Sequence, residues 1–276
     1  MCNVVFLKTI YKLQCVGFNF FYAILLLLAF NLLIYLLVKE LEDYHWFTPV
    51  LRNYQTDFIG FLVTRFNVYD VFIQHLKTLR LSMLPMTDLC SGSGEPAISI
   101  FRKSNCFSSL KLTDKFPTAL KINDTKIFYD LQSTDVLEME FKPETCYTMF
   151  NALHHFTDEE KVTIAQKIQN SGSTAFIVEL LEPTVFCLLK IFFTTTIGCL
   201  VLTPFIFPFS LKRMFFTYIL PVNILTISFD GIVSVLKSRS VKQYQDLFTN
   251  KDCAIKIFRL KNGLSQLIVL QIIGTK

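Results

Sequence analysis

The sequence predicts an α/β protein: a mostly parallel sheet closing on a C-terminal antiparallel hairpin, with an N-terminal transmembrane helix and an apolar helical insertion. Three observations carry that expectation. From Leu81 onward, short β-like runs alternate with helical ones, the pattern of βαβ units. Near the end, Asn262-Gly263 separates two apolar runs. Asn-Gly is the strongest short hairpin signal, because a type I′ turn needs positive φ at both central residues. Two long stretches, Val16–Val38 and Ile191–Leu211, carry no charge.

Composition agrees with a membrane setting. Of 276 residues 52% are hydrophobic and 18% charged, with a mean hydropathy of +0.44; soluble domains carry about 25% charge. This excludes a disordered chain. The net charge of +5 is small and scattered, so no nucleic-acid partner is expected. The eight cysteines (Cys2, Cys15, Cys90, Cys106, Cys146, Cys187, Cys199 and Cys253) include no Cys-x-x-Cys pair. A reducing, cytosol-facing environment is therefore expected, and no metal site.

Val16–Val38 spans 23 residues, roughly 30 Å of helix and enough to cross a bilayer. It is too long for a signal-peptide core and lacks a small-residue cleavage site before the charges, so it reads as a retained anchor. Residues 46–80 have apolar positions at helical spacing and read as one or two amphipathic helices. MLPMTDL, SLKLTD, KIFYDL, TCYTMFN and STAFIVEL read as strands; EPAISIFRK and TDEEKVTIAQKIQNSG read as helices. After the fifth strand, Ile191–Leu211 and Met214–Phe229 form two apolar arms interrupted by Lys212 and Arg213, with Pro204, Pro208 and Pro221 breaking helical hydrogen bonding. The pair reads as a bent hairpin dipping into one leaflet, the alternative being a buried hairpin. At its tip Lys212 and Arg213 either meet lipid phosphate or keep the tip in water. Asp230-Gly231 closes the insertion and reads as a helix start, the alternative being a contact with a substrate headgroup.

The segment with chemistry is Thr87–Ala97, TDLCSGSGEPA. Asp88 ends a strand, and Gly92 and Gly94 allow a tight bend and close ligand approach. Gly92-x-Gly94-x-x-Ala97 also satisfies a dinucleotide fingerprint. Against a nicotinamide-dependent oxidoreductase stand Asp88, whose charge would oppose a pyrophosphate, and the terminal hairpin. A carboxylate there suits a cationic amine or sulfonium.

These residues resemble the class I S-adenosylmethionine-dependent methyltransferases over about Leu81–Glu182 and Gly231–Gly274, and more closely a poorly characterised membrane-associated subset sharing TMFNALHHF, the apolar insertion and an FDGIVSVLK-like stretch. The resemblance implies a Rossmann-like sheet and S-adenosyl-L-methionine as cofactor. It implies that Asp88, Leu89, Cys90, Ser91, Gly92 and Gly94 hold the methionine end, with Cys90 replacing the commonest first glycine. Asp114, 20 residues after Gly94, would bind the ribose hydroxyls, two carboxylate oxygens matching a vicinal diol. Phe116 would pack on the adenine, and Thr134, Asp135 and Val136 would meet its amino group. Phe150 and Asn151 would line the cofactor; Asn151 is equally a plain turn residue.

His154 and His155 are adjacent and so are expected to point apart. Either is a candidate general base, His155 the preferred one, the alternative being that both shape the pocket. His45 and His75 read as structural. Residues 1–45 are thus expected as a membrane anchor, 46–80 as a helical cap, 81–183 with 230–276 as the methyltransferase domain, and 184–229 as the membrane-associated hairpin. The expected partners are a lipid bilayer and a lipophilic small-molecule acceptor, the catalytic domain facing the cytoplasm. An inactive membrane scaffold of the same fold is the competing reading.

Overall fold

The computed structural model describes residues 39–79, 81, 83–120, 122–249, 255–263 and 265–274. The expected anchor over Val16–Val38 lies outside them. Residues Glu40–Lys276 form one compact unit.

Its helices start where local chemistry permits. In α1 (Pro49–Arg65), Pro49 occupies the first turn and the Thr48 side chain accepts from Leu51 N at 3.3 Å, satisfying one otherwise orphaned donor. α2 covers Asp70–Thr78. After β1 (Met86–Leu89) comes α3 (Ala97–Ser104), stopped by Asn105 at φ 54. β2 (Leu110–Thr113), β3 (Ile127–Tyr129) and β4 (Cys146–Phe150) follow. α4 (Asp158–Asn170) opens with a complete Thr157/Glu160 capping box and three acids in its first turn, both favourable at the positive end of the helix dipole. β5 (Thr174–Glu179) ends the parallel part.

The seven-stranded sheet has the order β3-β2-β1-β4-β5-β7-β6, with β6 (Ile255–Asn262) and β7 (Ser265–Ile273) paired as a hairpin and β7 antiparallel to β5. The expected sheet is therefore the one observed, although Asn262 still belongs to β6, opposite Ser265, so the turn begins one residue later than expected, at Gly263. Side chains alternate between its faces with period two. Cys146, Phe150, Phe176, Val178, Leu267 and Val269 pack towards α2 and α3. Tyr147, Met149, Ala175, Ile177, Ile268 and Leu270 pack towards α4 and α9 (Val241–Thr249). Because α3 and α4 leave the neighbouring strands β1 and β4 for opposite faces, a crevice opens at the carboxyl ends of those two strands, the topological switch point where open α/β sheets bind ligands.

Between β5 and α9 lies the insertion: α5 (Val185–Phe193), a π-helical turn (Thr194–Gly198), α6 (Cys199–Leu202), α7 (Leu211–Met214), a second π turn (Phe215–Ile219) and α8 (Val222–Lys237). Val185–Phe205 is long and apolar enough to cross a membrane, with a mean hydropathy of 2.2, while Leu211–Ile219 meets Val222–Lys237 at a bend of 79°. Phe207 is 83% exposed, and Phe186, Phe193, Ile197, Val201, Leu211, Ile219 and Leu225 are exposed as well. Monomeric soluble proteins rarely leave so much contiguous apolar surface to water.

Three expectations are corrected here. The 46–80 cap divides: α1 lies over the glycine loop, whereas Phe72, Ile73 and Leu76 of α2 sit in the sheet's own core, because one helical face is apolar enough to form a layer. Asp230-Gly231 is not a helix start but lies inside α8, which continues to Lys237, so the insertion and the domain share one helix. Arg213 is not at a wet tip. It is 3% exposed, paired with Asp57, and donates through Nη1 to Ile206 O at 3.1 Å and Pro208 O at 3.2 Å.

Candidate active site

The switch-point crevice is built from the ends of β1, β2 and β4. Asp88 shares its sheet face with Thr148, its register partner on β4, and Thr148 Oγ1 donates to Asp88 Oδ1 at 2.6 Å. Asp88 is 2% exposed. Burial raises its pKa to about 7, opposed by the hydroxyls of Thr148 and Ser91 and reinforced by the charge of Asp114. A carboxylate in that state is short of a cation.

The loop after Asp88 is held from several sides. Ser91 Oγ donates to Asp88 O at 3.0 Å and accepts from Thr113 N at 3.2 Å. Gly92 N donates to Asp114 Oδ2 at 2.8 Å, and Tyr129 Oη donates to Gly92 O at 2.9 Å. Cys90, Gly92 and Gly94 all have positive φ (56°, 50° and 83°). Glycine meets that demand freely; Cys90 meets it under strain of about 1 kcal/mol. A Cβ on Gly94 would stand 2.7 Å from Ile98 Cδ1. From above, Thr56 of α1 lies against Gly92, and Ser93 Oγ donates to Thr56 O at 3.2 Å.

Asp114, Asp88, Asp135 and Asp43 all act on the Cys90 thiol, whose pKa burial and then these four charges push well up. Asp88 and Asp114 meet at the glycine bend, Asp88 through its carbonyl and Ser91 Oγ and Asp114 through Gly92 N. Asp114 holds the loop, Oδ1 accepting from Phe116 N at 2.7 Å, which leaves each oxygen a further lone pair. Asp135 is engaged: Lys115 Nζ lies 2.8 Å from Oδ2, and Leu137 N donates to Oδ1 at 3.0 Å. Burial would raise its pKa, but these partners outweigh burial and lower it. Thr134 N donates to Asp114 O at 2.9 Å, which ties the two acidic segments together.

Other expected residues take different roles. The side chains of Leu89 and Val136 are buried in the α4-side core, and Phe150 is packed edge-on by Tyr69 and Phe72 at centroid distances of 5.3 and 5.9 Å. Their side chains support the crevice from beneath; they do not line it. Phe116 has the Arg52 guanidinium 4.0 Å from its ring centroid and the His45 ring against it. Asn151 is the turn residue of its alternative reading, at φ 51 with Oδ1 accepting from Leu180 N at 3.3 Å.

The two histidines do not point apart. They sit in a 3-10 turn (Leu153–His155) with ring centroids 4.6 Å apart, both facing Glu40. His155 is also flanked by Glu42 and Asp43. Burial would lower its pKa, yet Glu40, Asp43 and Glu42 together raise it well above the usual value. An imidazole already holding its proton cannot accept another, so this arrangement does not support His155 as a general base. Sequence reasoning missed Glu40, Thr148, Tyr129 and Glu179. Only Glu179 left a signal, as a lone acid ending an apolar strand.

Fold and crevice define a doubly wound α/β protein with an acid-lined switch-point site. No protein-family model and no curated protein matches the sequence. Among solved structures the chain is similar to human N-acetylserotonin methyltransferase in complex with SAM, at 16% identity over 78% of this chain and 55% of that one, TM-score 0.44. It is also similar to the plantazolicin methyltransferase solved with a substrate analogue and SAH, at 12% identity over 82% and 97%, TM-score 0.44. The chain spans about half the length of the human enzyme. Likeness at this level carries nothing about chemistry, which rests on the residues themselves.

Proposed function

We propose that this protein is an S-adenosylmethionine-dependent methyltransferase, attached to a membrane with its catalytic domain on the cytoplasmic side, acting on a lipophilic acceptor. The observation that carries the reading is the meeting of Asp88 and Asp114 at one glycine bend, with Gly92 N donating to Asp114, at the switch point of a sheet whose seventh strand is antiparallel. The donor set fits. The cofactor bears an ammonium, a sulfonium and a vicinal diol, and the crevice offers the buried Asp88 and the part-buried Asp114 as acceptors. When bound, the cofactor supplies an electrophilic methyl group.

The chain's own residues then have definite tasks. Asp88 takes the cationic end and ionises as it does so. Asp114 accepts from the diol while its bonds to Gly92 N and Phe116 N fix the loop. α1, through Arg52 and Thr56, covers the crevice and excludes water; positioning of the acceptor supplies much of the rate. The insertion packs on α1 through Phe58, Cys199, Ile206 and Ile227, so an acceptor drawn from lipid has a short path to the site.

Calorimetric titration of the detergent-solubilised full chain with SAM, SAH, NAD and NADP tests the cofactor: SAM and SAH should bind and the nicotinamides should not. Transfer of labelled methyl groups to a membrane extract then separates the enzyme from an inactive scaffold, which would bind without transfer. Phe207→Asp with Phe209→Asp should weaken vesicle binding while leaving SAM affinity unchanged.

A further inference from the structure

A second convergence lies beside the crevice and involves none of Asp88, Asp114 and Asp135. Glu40 reaches it from the N-terminal side, His154 and His155 from the turn after β4. One donor atom from each lies within 4.8 Å of the others. His154 Nε2 stands 3.8 Å from Glu40 Oε1 and His155 Nε2 3.6 Å from Glu40 Oε2, with Glu42 Oε1 also 3.6 Å from His155 Nε2. These gaps are too long for hydrogen bonds. They approach the separation of neighbouring ligands around a small ion: two donors each about 2.0–2.1 Å from a tetrahedral zinc lie about 3.3 Å apart.

The far side of each ring is fixed. His154 Nδ1 lies 2.8 Å from Glu179 Oε2 and His155 Nδ1 3.1 Å from Asp43 Oδ1. A ring whose Nδ1 is held by a carboxylate turns its Nε2 to the opposite side, and metal-ligating histidines are held in this manner; an ion bound at His155 would displace the proton from Nε2. Both Nε2 atoms face Glu40. That residue is 1% exposed; its Oε2 accepts from Ser234 Oγ at 2.8 Å, while Oε1 is buried with no hydrogen-bond partner. A buried carboxylate oxygen left unpaired is costly, and here it faces His154 Nε2 at 3.8 Å. Four carboxylates, Glu40, Glu42, Asp43 and Glu179, surround the two imidazoles.

We infer that Glu40, His154 and His155, joined by Glu42, form a binding site for a divalent first-row transition ion of the zinc type. The ligand set, two imidazoles and one or two carboxylates, suits zinc or its cobalt substitute. The ion would tie the 40–43 segment to the end of β4. The inference is independent of the cofactor reading, because no ligand is shared and the readouts below need no SAM.

The test uses the full chain in detergent, stripped with a chelator and titrated with Zn²⁺ and with Co²⁺. Elemental analysis after gel filtration should give one ion per chain, and Co²⁺ should show the intense visible absorption of a four- or five-coordinate site. Glu40→Gln, nearly isosteric, and His154→Ala should each weaken binding at least tenfold and abolish the cobalt spectrum. Ser234→Ala, which removes the hydroxyl shared between Glu40 Oε2 and Asp230 O but no ligand atom, should keep the stoichiometry. Zn²⁺ should raise the thermal midpoint of the wild type but not of Glu40→Gln. Absence of a stoichiometric ion, a cobalt spectrum of the hexaaqua type, or binding unchanged in Glu40→Gln would overturn the inference in favour of a plain ion-pair cluster.

Discussion

The acid-lined crevice and the Glu40–His154–His155 cluster are neighbours, with Asp43 acting on both Cys90 and His155, yet they are assembled differently. The crevice draws on residues that follow one another at strand ends. The cluster joins Glu40 to groups more than a hundred residues away. The crevice acids Asp88 and Asp114 are held by hydroxyls and backbone N–H groups, whereas the acids of the cluster surround two imidazoles. Sites laid out along the strand order of a sheet can be read from spacing; those closed by a distant segment cannot.

The comparison is sharpest at Asp88. The unfolded chain releases this proton near pH 4, whereas the folded protein keeps it until about 7. The stability it contributes is therefore full below pH 4 and is lost as pH rises through 7, by at most about 4 kcal/mol for a buried group shifted by about three units. Asp114, the Ser91 and Thr148 hydroxyls and, from the α2 side, Tyr69 face this group. Denaturant unfolding between pH 4 and 8 should show a steeper fall in the wild type than in Asp88→Asn, the remaining slope coming from Glu42 and Asp230, which burial raises to about 8 and about 6. SAM affinity should rise with pH over the upper part of the same interval, because a cation favours the ionised form.

Asp114→Ala should lower SAM affinity about a hundredfold, or ~3 kcal/mol, since it removes a charged acceptor and frees two loop N–H groups. Calorimetry showing less than a threefold change would break the crevice reading and leave the cluster as the main candidate site. Gly94→Ala should destabilise by about 2–3 kcal/mol, because its φ of 83° and the contact with Ile98 penalise a methyl together. Gly263→Ala, at φ 57 with open space around the added carbon, should cost only about 1 kcal/mol. Cys90→Gly should change stability least: relief of about 1 kcal/mol of left-handed strain is set against lost packing, read as a small shift in midpoint.

Much of the crevice was legible because its chemistry depends on backbone devices that leave local marks. Gly92 and Gly94 sit where φ must be positive, and Asp88 and Asp114 end buried strands, where a charge is otherwise anomalous. Less was legible where burial decides. Phe150 and Val136 belong to the expected segments, but the side-chain parity of β4 and the packing of the loop before it turn them into the core. Arg213 looked like a solvated tip because Asp57, its partner, lies on another helix. Asp230 resembled a helix start because a short sequence window cannot show that Val222–Lys237 is continuous.

The sequence by itself determined the order of strands and helices, the presence of the terminal hairpin and the acid-and-glycine bend, since each follows from hydrophobic period and allowed φ within a few residues. The tertiary structure alone decided which titratable groups meet. Glu40 reads as a charged flank beside an apolar run until folding carries it against His154 and His155. Contact between residues far apart in the chain is set by how the layers pack, and the energy of a buried carboxylate is set by whatever that packing places within a few ångströms of it.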